Sequence, residues 1–255
     1  MMKILAICNQ KGGVGKTTTA INLAASLANL NNKVLIVDTD PQANATSGVG
    51  IDKNDVNKSI YDILVDEVDI NEVIKETSYK NLDIVPSSIA LAGAEVELVS
   101  AISRELRMKQ AISSIKKSYD YIIIDCPPSL GLITLNSLTA ADGVIIPVQT
   151  EYYALEGLSQ LINTFNIVRK HLNSTLEIFG VLLTMTDSRT NISNQVSTEV
   201  RDHFKDKVFD TVISRTVRLS EAPSFGEPII EYAKSSKGAK QYLTLAKEVI
   251  NRDKK

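Results

Sequence analysis

At 255 residues, with 44% hydrophobic and 23% charged residues, the chain can bury one sizeable core without disulfide or metal staples. A net charge of −2 excludes a protein coated in positive charge, and no apolar run approaches the ~20 residues of a membrane span. The two cysteines, Cys8 and Cys126, fall in or beside apolar strand runs and form no spaced framework, so a reduced, cytoplasmic setting is expected. The charge is unevenly spread. Residues 189–255 hold 13 Lys+Arg against 9 Asp+Glu, whereas residues 1–188 hold 15 against 21. A basic excess in the last quarter is what a nucleic-acid face would give, and a solvated mixed surface gives it too.

In chain order, strand-like apolar runs alternate with helical patterns, as βαβ units require. Residues 3–8 read as a strand; their apolar stretch ends at Asn9-Gln10-Lys11 with no small-residue cleavage site, unlike a signal peptide. Residues 17–30 read as a helix with Ile21, Ala24, Ala25, Leu27 and Ala28 towards one side, and 34–37 as a strand. Short helices are predicted over 59–65 and 71–75, a strand over Leu82–Val85 ending at Pro86, and helices over 91–99 and 103–117. Runs of β-branched residues at 121–124 and 144–148 suit strands buried on both faces. A helix over 155–171, a strand over 178–185, and helices over 192–204 and 239–251 complete the pattern. With no repeat, low-complexity segment or linker, one α/β domain is expected over 1–255, a doubly wound, mostly parallel sheet flanked by helices.

Between the first strand and first helix stands Lys11-Gly12-Gly13-Val14-Gly15-Lys16-Thr17-Thr18. Glycines let the backbone curl so that successive N–H groups face phosphate oxygens, and the helix behind adds its positive end. This is a site for ATP with Mg²⁺, with Lys16 reaching the β- and γ-phosphates and the Thr17 hydroxyl on the metal. The loop departs from G-x-x-x-x-G-K-[ST] at its first position, where Gln10 stands, and carries an additional lysine, Lys11. Two later apolar strands end in carboxylates, at Val37-Asp38-Thr39-Asp40-Pro41 and Ile124-Asp125-Cys126-Pro127, where open α/β sheets bind ligands. Other chemistries lack material. His171 and His203 are the only histidines, too few for a His-rich metal site and read as surface or helix residues, and neither cysteine belongs to a C-x-x-C pair.

The Lys11–Thr18 loop resembles the deviant phosphate loop of the ParA/MinD group of P-loop ATPases. Asp40-Pro41-Gln42-Ala43-Asn44-Ala45-Thr46, the stretch from Pro147 to Leu158 through Tyr152-Tyr153-Ala154-Leu155-Glu156-Gly157, and Arg218-Leu219-Ser220-Glu221-Ala222-Pro223-Ser224 further resemble the ParA/Soj family, and the resemblance covers essentially the whole chain. It implies an ATPase that dimerises around ATP, binds double-stranded DNA without sequence preference, and is reset when a ParB/Spo0J-like partner stimulates hydrolysis during chromosome or plasmid segregation. A cytoplasmic, nucleoid-associated location follows. In that family the early lysine crosses to the partner subunit's ATP, which gives Lys11 that role. The resemblance places Asp125 in the magnesium shell, Asp38 as a second contact to it, and Asp40 as the residue orienting the attacking water. It places DNA contacts at Arg189 and Arg218, and the nucleobase at Ser214-Arg215-Thr216, where the family usually reads Pro-Arg-Asn, so that Ser214 and Thr216 depart from it. Because the chain starts directly with strand one, no helix-turn-helix extension and no operator-specific repression are expected. The competing reading is a MinD-like membrane ATPase ending in a lipid-inserting basic amphipathic helix. Here the stripe at 242–250 is expected to dock on the core, and the tail Asn251-Arg252-Asp253-Lys254-Lys255 is polar, so membrane attachment is disfavoured. A scaffold that never hydrolyses ATP is opposed by the presence of Asp40 and Asp125.

Overall fold

The computed structural model describes residues 2–151 and 158–254 of the chain. The first half runs β1 (Lys3–Ile7), α1 (Lys16–Asn29), β2 (Val34–Asp38), α2 (Asn44–Gly48), α3 (Ile60–Leu64), α4 (Ile70–Val73), β3 (Lys75–Glu76), β4 (Leu82–Val85), α5 (Leu91–Glu97) and α6 (Arg107–Ser113). The second runs β5 (Tyr121–Asp125), α7 (Leu132–Ala140), β6 (Gly143–Gln149), α8 (Leu158–His171), β7 (Glu177–Thr184), α9 (Asn191–Phe204), α10 (Val217–Glu221), α11 (Ile229–Tyr232) and α12 (Lys237–Asp253). The strands form one sheet in the order β3-β4-β2-β5-β1-β6-β7, parallel except for the edge pair β3–β4. This is the doubly wound α/β architecture expected.

The strands are continuous hydrophobic runs because both faces are covered. Side chains alternate between two cores: along β1, Leu5 and Ile7 join one cluster, Ala6 and Cys8 the other. The order places β1 centrally, between β5 and β6, with its C-terminal end beside the ends of β2 and β5. Sequence periodicity does not flag α7, because nearly all of its residues are buried and no polar face alternates with an apolar one. The helix expected over 103–117 narrows to Arg107–Ser113, and the one over 71–75 to Ile70–Val73, after which the chain extends as the two-residue edge strand β3. The start of the helix expected from residue 155, and half of the motif from Pro147 to Leu158, lie outside the described residues.

The terminal helix α12 docks as expected. Ser236 caps its start, accepting the Ala239 N–H at 3.2 Å. Tyr242, Leu245, Ala246 and Val249 are buried in the core cluster that contains Ala20, Leu23 and Leu27 of α1. At the far end the Arg252 guanidinium donates to the carbonyls of Phe179, Lys207 and Val208 at 3.3, 3.2 and 2.9 Å, pairs with Glu248 at 3.0 Å, and lies 4.2 Å from the Phe209 ring centroid. The apolar stripe is therefore spent on the fold. Tyr242→Ala is expected to lower stability by about 3–5 kcal/mol through the cavity left behind α1, measured by urea unfolding.

Candidate active site

The loop after β1 is held by β6 and by β7. Cys8 N–H donates to Ile145 O at 3.1 Å, and Asn9 Nδ2 donates to Pro147 O at 2.8 Å while its Oδ1 accepts the Lys11 N–H at 3.0 Å. On the β7 side, Thr184 Oγ1 donates to Val14 O at 2.9 Å. Gly13 and Gly15 have φ of 73° and 86°, the left-handed region that excludes most side chains. No atom lies within 4 Å of where a Cβ would stand on Gly12, Gly13 or Gly15, so the loop faces open space rather than packed neighbours. Gly15 occupies the N-cap of α1 and offers no side chain to the first-turn N–H groups. Those amides are aimed where an anion would lie.

Lys16 Nζ folds back to donate to Lys11 O at 3.0 Å. Burial holds its ammonium below the ordinary range, against the opposing pull of Asp125 and, more weakly, Asp40. The register aligns Ile7, Asp125 and Asp38 across the ends of β1, β5 and β2, so the two carboxylates are neighbours. Both are wholly buried. Asp38 is satisfied internally: Oδ1 accepts the Asp40 N–H at 3.1 Å, and Oδ2 accepts the Thr46 N–H and hydroxyl at 2.8 and 2.7 Å. Neither oxygen of Asp125 has a hydrogen-bond partner; the Thr17 hydroxyl is close enough to favour its charged form but stops short of a bond. Burial, reinforced by Asp38, pushes the Asp125 carboxyl well above its usual range, and burial raises Asp38 to about 6.

An orphaned buried carboxylate beside a hydroxyl and an open, glycine-lined amide loop fits Mg²⁺ with a nucleotide phosphate. Among the described residues no group of three or more His, Cys, Asp or Glu side chains could hold a metal alone. A cation here would take its remaining ligands from phosphate and water, as Mg²⁺ commonly does. Asp40 is 9% exposed and accepts the Gln42 N–H at 3.0 Å, which turns the chain into α2 through Ala43, itself at a φ of 53°.

The structure gathers Lys11, Lys16, Thr17, Asp38, Asp40 and Asp125 around one loop. The residues expected at the base, and Arg189, lie on the β7 side. Thr186 bridges Ser214, and Thr186 N–H donates to Ile213 O at 3.0 Å. Arg215 pairs with Glu151 at 2.9 Å, and Thr216 caps α10, its hydroxyl accepting the Leu219 N–H at 3.4 Å. Arg189 and Arg215 both line a cleft of about 690 Å³ between α9 and the start of α12. Arg189 is exposed and pairs with Asp187 at 2.7 Å. Arg218 stands apart from that lining, on α10, paired with Glu221 at 3.1 Å. His171 and His203 are exposed, as expected. The roles of Asn9, Thr46 and Thr184 escape sequence reading because their partners are distant in the chain; Thr184 and Val14 are 170 positions apart.

This strand–loop–helix site on a doubly wound sheet defines a P-loop nucleotide-binding protein. Residues 2–178 match the AAA domain family. The chain is 64% identical over 249 residues to the sporulation initiation inhibitor protein Soj of Bacillus subtilis, covering 98% of each. It is 55% identical over 251 residues to the chromosome partitioning protein ParA of Myxococcus xanthus, covering 98% of this chain and 89% of that one. Its fold superposes with a TM-score of 0.88 and 36% identity on cobyrinic acid a,c-diamide synthase from Mycobacterium smegmatis with bound ATP analog and magnesium, covering 100% of this chain and 96% of the other. The chain belongs to the ParA/Soj family of chromosome-partitioning ATPases.

The buried carboxylates set a pH dependence. Asp38 titrates near 6 folded against an ordinary 3.8, so between these values the folded chain holds a proton that the unfolded chain has lost. Its contribution therefore falls as pH rises through that window. Asp125→Asn should raise the melting temperature without nucleotide at neutral pH, by removing a buried carboxyl that has no hydrogen-bond partner, and abolish the further rise that Mg²⁺ adds with ATP. Scanning fluorimetry across pH, with and without Mg-ATP, checks both signs.

Proposed function

We propose that the chain is a single-domain ATPase whose two copies close on ATP and Mg²⁺, bind DNA without sequence preference while closed, and separate when a ParB-type partner accelerates hydrolysis. The observation that carries this reading is the unequal fate of two lysines in one loop. Lys16 turns inward, onto Lys11 O, whereas the Lys11 side chain is only partly buried and makes no hydrogen bond or ion pair to any described residue. A half-exposed lysine of a phosphate loop, with its ammonium bonded to none of the described residues, fits a phosphate bound by a second copy.

In this reading the amides of 12–18 and Lys16 grip the phosphates, and Thr17 and Asp125 hold Mg²⁺, which supplies charge neutralisation at the phosphates when bound. Asp38, with its oxygens bonded to Asp40 and Thr46, acts on the metal shell through water and shapes the loop that carries Asp40. Asp40 orients the attacking water, and Ser214, Arg215 and Thr216 flank the base. ATPase chemistry here is positioning and charge stabilisation.

Arg189 and Arg218 serve the DNA surface. Each is exposed and paired with a neighbouring carboxylate, Arg218 with a Glu221 that also accepts the Tyr232 hydroxyl, and such surface pairs are exchanged cheaply for phosphate. A few arginines per copy bind weakly, since affinity follows the summed phosphate contacts and released counterions, so a dimer doubles the patch. A nucleoid location follows from that binding. The apolar stripe of α12 is buried against α1 and is not available to insert into lipid, which counts against the membrane reading.

Binding to random-sequence DNA and to anionic liposomes, each with ATP and with ADP, tests this reading. DNA binding is expected only with ATP, falling steeply with salt, and absent in Lys16→Ala. Arg189→Glu should reduce the slope of log K against log salt by about 1 for each DNA phosphate that the arginine had neutralised. Liposome binding without DNA binding would overturn the proposal. For the chemistry, Asp40→Ala should still form ATP-dependent dimers in size-exclusion chromatography while phosphate release stops; unchanged phosphate release would remove Asp40 from its role.

A further inference from the structure

Gln241, half-buried near the start of α12, spends both ends of its amide on one residue. Its Oε1 accepts the Ser214 N–H at 3.2 Å, and its Nε2 donates to Ser214 Oγ at 3.0 Å. The next residue, Tyr242, points elsewhere, as successive helical side chains must, being about 100° apart. Its hydroxyl meets Thr19 Oγ1 of α1 at 3.3 Å, three positions past Lys16. Two consecutive residues of one well-packed helix thus hold two separate walls of the nucleotide site: the segment 213–216, and the helix behind the phosphate loop. The same two walls are joined a second time through β7, by Thr184 to Val14 and by the bridge from Thr186 to Ser214.

We infer that Gln241 is a positioning residue for nucleobase recognition, a clamp on Ser214 that fixes the spacing between the base-side segment and the phosphate loop. The inference rests on the reading above that the base lies at 214–216. No other described group bonds the Ser214 N–H or hydroxyl, so cutting the clamp frees both at once. Phosphate contacts, made by the loop 11–18 alone, do not depend on it. A segment that samples several positions binds with an affinity reduced by the fraction of time it is correctly placed.

The test compares ATP with inorganic triphosphate, which lacks the base, on Gln241→Leu and Gln241→Glu. Leu keeps the volume and removes both bonds. Glu keeps them, since its carboxylate accepts from both the Ser214 N–H and the rotated hydroxyl. Gln241→Leu should weaken ATP binding about 3–10-fold and raise KM similarly with kcat unchanged, while triphosphate binding stays constant. Gln241→Glu should bind ATP more tightly than the Leu variant. Equal losses for ATP and triphosphate, or no loss for either, would overturn the clamp. Photocrosslinking of 8-azido-ATP to the unaltered protein separates the two levels. Label outside residues 212–217 would refute the base location, and with it this inference. Label within that segment combined with an unaffected Leu variant would refute Gln241 alone.

Discussion

Two carboxylates at the ends of adjacent parallel strands are expensive to bury, and their unequal treatment organises the site. Register puts Asp38 beside Asp125, with Ile7 and the phosphate loop on the other side. Asp38 is compensated within the protein by two backbone N–H groups and the Thr46 hydroxyl. Asp125 is compensated by none. Leaving one buried carboxylate unsatisfied carries a desolvation cost that the rest of the sheet must absorb, and such costs persist where they serve a ligand. A divalent cation converts the cost into affinity. The compensation of Asp38 has a further consequence, because the groups that satisfy it belong to the segment carrying Asp40, and Thr46 Oγ1 also accepts the Ser87 N–H at 3.0 Å. The segment after β2 is therefore anchored through one carboxylate to the ends of both β2 and β4.

Lys16 completes the charge balance. Its ammonium is drawn by Asp125 and Asp40 yet bonded to a backbone carbonyl of its own loop. A carbonyl is a weaker acceptor for an ammonium than a phosphate oxygen, so the bond to Lys11 O is one that phosphate would readily replace. The exchange would also release the Lys11 carbonyl, linking the inward lysine to the half-exposed one. The sequence motif spaces these two lysines five positions apart, and the curl at Gly13 and Gly15 lets one close on the backbone of the other.

How much of this was legible in the sequence depends on how local the chemistry is. The phosphate loop, the aspartates ending β2 and β5, and the parallel sheet were readable because each is written in one contiguous stretch, an apolar run followed by its polar terminus. α7 was not readable, since a helix buried on nearly all sides has no period to detect. The short α2, α10 and α11 are held by tertiary contacts, with a side-chain cap from Thr216 at α10 alone of the three, rather than by propensity. The ties that fix the site were invisible for a different reason. Thr184 to Val14, Thr46 to Ser87 and Gln241 to Ser214 join residues 170, 41 and 27 positions apart, and polar residues at such separations carry no local signal. Ser214 could be seen as a departure from its family, but its partner on α12 could not.

The basic excess of the last quarter also changes meaning once the side chains are placed. Arg252 belongs to the fold: its guanidinium satisfies three carbonyls and stacks on Phe209, and no ligand could claim it without unpacking α12. Arg189, Arg215 and Arg218 are each paired, but with carboxylates on an exposed surface, where the energy of the pair is screened and the partner is easily traded. The excess of four positive charges therefore overstates one kind of surface and conceals another. The DNA face proposed above would be a small set of exchangeable arginines around the cleft and α10, too few in one copy to hold against physiological salt. In the proposed reading such a surface becomes effective only by being doubled, and the element proposed to double it is the phosphate loop, on which Lys11 is half-exposed. On that proposal the weakness of the DNA surface and the half-exposed lysine are two halves of one switch: binding that a single copy cannot sustain is binding that nucleotide can control.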